Sequence, residues 1–148
     1  MRSSLAVLVT IVLGVAFAAY GSRQESLEQL IARAASARAE DQPHLYIEIA
    51  RKELEAADKS YKSGENDAAR KSVDEVVNYS DKASDAASHT GKKLKDTEIA
   101  LRKMAEKLRD LKRGLAYDDQ APVQAAADRL EQMRTELLSR MFGKKGKP

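Results

Sequence analysis

An all-α fold is what this chain predicts: an antiparallel bundle of helical hairpins, four long helices plus a shorter N-terminal one. Three observations carry that expectation. Residues Leu94, Thr97, Leu101, Met104, Leu108, Leu111 and Leu115 recur at alternating steps of three and four, the spacing that lines up one face of a helix. Charged residues make up 33% of the chain and aromatics 5%, with Ala, Leu, Glu, Lys and Arg dominant, a mixture that suits helices and supplies few anchors for a sheet core. Finally, the charge changes sign between successive apolar segments, as it does when helices pack side by side.

Each element follows from its own pattern. The first helix is predicted over about Arg23 to Glu40, with Leu27, Leu30, Ile31, Ala34 and Ala35 on one side. Asp41-Gln42-Pro43 ends it, because a proline disfavours helix at the residue before it. The second helix runs from about His44 to Lys62. Tyr46, Ile49, Ala50, Leu54, Ala57 and Tyr61 form its stripe, and Gly64 takes the left-handed turn that stops it. A third begins near Asn66, a cap residue, and carries the small seam Ala69, Val73, Val76, Ser80, Ala83 and Ala87.

The third and fourth seams share one frame through Thr90, so a single long helix is conceivable. Ser88, His89, Thr90 and Gly91 are poor helix formers in a row, and glycine alone costs about 1 kcal/mol relative to alanine. A break is therefore expected there. Asp118-Asp119 and Pro122 signal the start of the last helix, whose seam is Val123, Ala126, Leu130, Met133, Leu137 and Met141.

The two ends are different material. Arg2 precedes an apolar run from Leu5 to Phe17, and Ala16-Phe17-Ala18 matches a small-x-small cleavage pattern. Residues 1–18 thus have the anatomy of a secretory signal peptide. An uncleaved membrane anchor over residues 5–20 is the alternative, although those 16 residues fall short of the roughly 20 that span a bilayer. Residues 19–142 form the expected bundle domain, and residues 143–148 a disordered basic tail. With Arg2, Lys144, Lys145 and Lys147 set aside, the 26 basic residues fall to 22 against 23 acidic ones. The body is near neutral, unlike a nucleic-acid binder. The chain holds no cysteine, which excludes disulfides, thiolate metal sites and a cysteine nucleophile.

Charge is sorted by segment. Residues 92–115 carry nine basic and four acidic side chains, residues 65–87 six acidic and three basic, and residues 118–141 five acidic and three basic. A basic helix flanked by two acidic ones is what up-and-down connectivity produces, and the basic stripe then reads as a solvated face paired to its neighbours.

Ala57, Tyr61, Gly64, Ala69 and Val73, in the pattern A-x-x-x-Y-x-x-G-x-x-x-x-A, resemble one tetratricopeptide (TPR) unit over about residues 44–88. The physical sense is that Ala57 and Ala69 let two helices approach while Gly64 turns the corner. The resemblance implies a helical hairpin and peptide or protein binding in a helical groove. The groove beside Tyr61, Val73 and Val77 is the candidate contact surface. Tyr79 falls outside its seam, and is expected to project sideways as an interface anchor.

Sites for chemistry are sparse. His44 with Glu48 and His89 with Asp85 supply two-ligand pairs, where a metal normally takes three or four ligands. Met104 and Met133 sit in seams as core filler. Ser80, Ser84 and Ser88 recur every four residues as a small-residue face, and no serine stands in a strained nucleophile turn. Asp118-Asp119 precede a helix as caps do. No catalytic residue, metal ligand set or cofactor is expected. The tail lysines Lys144, Lys145 and Lys147 are candidates for weak contact with an anionic envelope surface. The expectation is an exported, non-enzymatic interaction or scaffold protein of the cell envelope, in periplasm or outside the cell. It would act through helix faces on a protein partner or a second copy. The alternative is a small-ligand or metal-binding bundle, a carrier or stress sensor.

Overall fold

The computed structural model describes residues 25–143. The expected signal peptide, its membrane-anchor alternative over residues 5–20, and the tail lysines lie outside the described residues. Five helices are present, α1 (Leu27–Ser36), α2 (Gln42–Lys62), α3 (Asn66–Thr90), α4 (Leu94–Arg113) and α5 (Tyr117–Phe142), with no strand among the described residues. The all-α bundle is thereby established. No described helix is long and apolar enough to cross a membrane.

Local chemistry explains the boundaries. Ser26 caps α1 through a reciprocal pair: its Oγ accepts from the Gln29 amide at 3.2 Å, and its own amide donates to Gln29 Oε1 at 3.1 Å. The helix stops at Ser36, four residues short of the expected Glu40. Gln42 Nε2 reaches back to the Ala34 carbonyl at 3.3 Å, satisfying an orphan acceptor of the last turn. Ala35, expected on the packed side, is exposed. Pro43 sits in the first turn of α2, where its missing N–H costs nothing.

The break after α3 is real. Gly91 adopts φ 67°, and its amide closes on the Ala87 carbonyl at 2.9 Å, a left-handed C-terminal stop. Thr90 Oγ1 donates to the Ala86 carbonyl at 2.8 Å and accepts from the Lys92 amide at 3.2 Å. The chain then passes through Lys93 at φ 60° and enters α4.

The sequence seams are the core. Ala69, Val73, Val76, Ser80, Ala83 and Ala87 of α3 are all buried, as are Val123, Ala126, Leu130, Met133 and Leu137 of α5. The α4 seam is buried from Thr97 to Leu108, and Leu94, Leu111 and Leu115 close its ends as partly buried residues. Small side chains on α3 let α2 approach closely, and the α2–α3 pair is the most extensive in the molecule.

Helix order departs from the expected up-and-down ring. The hairpins α2–α3 and α4–α5 pack so that α3 lies against α5, and α2 against α4. Arg70 meets Asp119 and Asp81 meets Arg129, so α3 and α5 run parallel. Successive helices α3 and α4 lie across the bundle and touch only lightly. The basic α4 therefore sits between α5 and α2 rather than between two acidic helices. Short turns set the direction of each helix, but burial of whole seams selects its neighbour.

Candidate functional site

The four residues expected to form a contact face are mostly committed to packing. Val73 is 1% and Tyr79 8% exposed. Tyr79 is thus a correction: it turns inward, its ring lying 6.2 Å from that of Tyr46 at 37°, with Lys82 Nζ 4.7 Å from its centroid on the outer side. The α2–α3 hairpin buries the third-helix flank that single-seam reasoning leaves at the side. Val77 is partly buried against the core, and Tyr61 likewise.

Beneath Tyr79 lies Glu53 of α2, 9% exposed. Burial raises its pKa, with Glu75 adding to the rise, while a hydrogen bond from Ser72 and the charge of Lys71 pull the other way.

A polar clasp ties the N-terminal ends of α3 and α5. Asp119, 6% exposed, accepts from Arg70 at 2.6 Å and from Asn66 Nδ2 at 2.9 Å. This revises two sequence readings. Neither Asn66 nor the Asp118-Asp119 pair caps its helix with a side chain. The hydrogen bond to Asp119 holds the Arg70 guanidinium more firmly protonated. Burial, then the nearby Asp119 carboxylate, raises the Tyr61 pKa. The Tyr61 hydroxyl is buried with no hydrogen-bond partner. The arrangement is one of helix alignment: two donors from α3 hold one carboxylate of α5.

An opening with an apolar floor lies between α2 and α4. A groove of about 610 Å³ runs along this seam, floored by Leu54, Met104 and Leu111. Its α2 wall carries Arg51, Glu55 and Asp58, and its α4 wall Lys103, Lys107 and Asp110. Asp58 is paired with Lys62 at 2.6 Å and Asp110 with Arg113 at 3.0 Å, each along its own helix. No ion pair within 4.0 Å crosses from α2 to α4 among the described residues, whereas Arg109–Glu131 (3.5 Å) and Arg134–Glu98 (2.5 Å) join α4 to α5. Sequence reasoning missed this groove because its walls come from helices that are not consecutive. The one available signal was the surplus of cations on α4.

The α4 stripe is consequently less paired than its charge pattern predicts. Arg109 reaches Glu131, Lys112 bonds to Gln124 Oε1 at 2.6 Å, and Arg113 stays on its own helix. Lys92, Lys93, Lys95, Arg102, Lys103 and Lys107 are exposed, with no ion-pair partner among the described residues. Acidic α3, their expected partner, lies across the bundle.

The remaining candidates resolve simply. Met104 and Met133 are core residues. Ser80 and Ser84 are buried at a helix contact. His44 Nε2 stands 3.8 Å from Glu48 Oε1, and His89 is exposed in the last turn of α3. Among the described residues no group of three or more His, Cys, Asp or Glu is disposed to hold a metal ion. No protein-family model, curated protein or solved structure matches this chain.

Proposed function

We propose that this protein is an exported, non-enzymatic interaction protein of the cell envelope, and that it binds an amphipathic helix of a protein partner along the α2–α4 seam. One observation carries the reading: this flank of the four-helix ring is neither bridged by ion pairs nor closely packed, and it leaves an apolar floor between two charged walls. Arg51 and Glu55 on one wall and Lys103 and Lys107 on the other face the groove without ion-pair partners of their own. A helix bearing apolar residues at i, i+3 and i+4, with an acidic flank laid toward α4, satisfies the floor and the cationic wall at once. Charge pairs at such a rim select the partner and its orientation more than they add affinity. The resemblance of residues 44–88 to one TPR unit supports the same class of role, with the contact face on the outside of α2. The apolar leader of residues 1–18 supports export.

Photo-cross-linking in the producing cells tests the reading. A photoreactive residue at Lys107 should capture a defined protein partner, and one at Asp128, exposed on α5, should not. Leu111→Asp, which places a charge on the groove floor, should abolish capture while leaving the helical circular dichroism intact. Equal capture at both positions, or capture indifferent to Leu111→Asp, refutes the groove. Recovery of the processed chain in the cytoplasm refutes export.

A further inference from the structure

A second surface, independent of the groove, lies at the end of the bundle where α3 turns into α4. The contact between Arg134 and Glu98 fixes the register of α5 against α4. Phe142 is eight residues beyond Arg134, about 12 Å along the axis, and Leu94 four residues before Glu98, about 6 Å the same way. Phe142 therefore stands at the level of the α3–α4 turn and just past it. It is 65% exposed, one of two large apolar side chains so placed among the described residues.

At this end of the bundle several cations are unmatched. Lys92, Lys93, Lys95 and Arg140 are all exposed, and none has an ion-pair partner among the described residues. The acidic groups near this end include Asp85 of α3 and Glu136 of α5, both exposed. Asp96 lies in the first turn of α4, and Glu40 and Asp41 face Arg38 at 3.6 and 4.0 Å. Local stability does not account for the pattern. Lysines at a helix N-terminus oppose its dipole, and Lys93 holds a left-handed backbone at φ 60° that an L-residue adopts at a cost.

We propose that this end is a docking surface for an anionic lipid bilayer. An aromatic ring settles at the headgroup level with its apolar body toward the acyl chains. Lysines at one end are each attracted to anionic headgroups, and an end bearing an exposed aromatic ring and several unpaired cations presents both to one surface. Nucleic acid is the poorer fit. It is tracked by cations laid along a groove with several stacking aromatics, and α4, which carries most of the unpaired cations, has no aromatic side chain. Docking end-on stands the bundle upright and leaves the α2–α4 groove free along its side.

Vesicle co-sedimentation of the protein purified as its cells process it tests this directly. Binding to mixed phosphatidylglycerol–phosphatidylcholine vesicles should exceed binding to phosphatidylcholine alone and fall with added salt. The triple substitution Lys92→Glu, Lys93→Glu and Lys95→Glu should lower that binding on the order of 100-fold, with helical signal retained. Phe142→Ser should lower it several-fold. The matched triple Arg102→Glu, Lys103→Glu and Lys107→Glu, which changes net charge equally on the flank of the same helix, should have under a tenth of the first triple's effect. Equal losses from the two triples would reduce the effect to net charge and overturn the proposal. Binding to neutral vesicles that ignores every substitution would assign the contact to residues 1–20 and overturn it as well. So would an oligonucleotide that binds the same lysines more tightly than lipid does.

Discussion

Asp119, two residues into α5, lies against Arg70, one turn into α3, at 2.6 Å. The contact joins the N-terminal ends of two parallel helices from different hairpins. With Asn66 as second donor, it sets the register between the halves of the molecule. Asp119→Ala leaves a part-buried amide and a guanidinium without their acceptor, and should destabilise by about 1–3 kcal/mol. Urea unfolding measures it. In a double-mutant cycle with Arg70→Ala the two losses should be less than additive, and full additivity would dissolve the clasp.

The α5 seam should behave as core. Leu130 is 0% exposed, so Leu130→Ala should cost about 3 kcal/mol through lost burial and a residual cavity. Leu94→Ala, at the partly buried end of the α4 seam, should cost under about 1 kcal/mol. Thermal melts of the two variants should separate accordingly; similar melting temperatures would contradict the burial pattern.

Backbone conformation at the α3–α4 turn makes opposite predictions two residues apart. Gly91 sits at φ 67° with nothing within 4 Å of an added Cβ. Gly91→Ala should therefore destabilise by about 1 kcal/mol from backbone strain alone. Lys93, at φ 60°, should gain about 0.5 kcal/mol on replacement by Gly, since relief of strain outweighs the added chain entropy. Denaturant midpoints shifting in the same direction for both would rule out a left-handed pair.

Glu53 supplies a pH dependence. Burial raises its pKa above the ordinary 4.5, so the folded state takes up the proton at higher pH than the unfolded chain does. Stability from this group is fully present below the unfolded value and lost as pH rises through the folded one. Glu53→Gln should accordingly stabilise at neutral pH, by on the order of 1 kcal/mol, and the advantage should vanish below pH 4.5. A benefit that persists in acid would mean that packing, not charge, is responsible.

Much of this fold was legible in the order of residues. The α3 seam from Ala69 to Ala87 and the α5 seam from Val123 to Leu137 are buried as their spacing predicts, because a helix has one period and apolar residues on that period share a face. The stop at Gly91 was equally plain, since a run of weak helix formers and a glycine are local facts. What misled was chemistry that is local in sequence and tertiary in use. Asn66 and Asp119 look like caps, and instead bond to each other across the bundle. Tyr79 lies off its own seam, and a second neighbouring helix buries it.

The sequence by itself determined that the described residues form five helices, where the stop at Gly91 falls, and which stripe of α3, α4 and α5 turns away from water. Those are consequences of side-chain period and backbone preference, which act over a few residues. Only the tertiary structure decided which helices are neighbours. With α4 beside α2 and α5, its cations lie away from acidic α3, one seam stays open, and the unpaired lysines at its start stand at the same end of the bundle as the exposed Phe142. Neighbour choice depends on how whole faces fit in space, and no spacing along the chain encodes that fit.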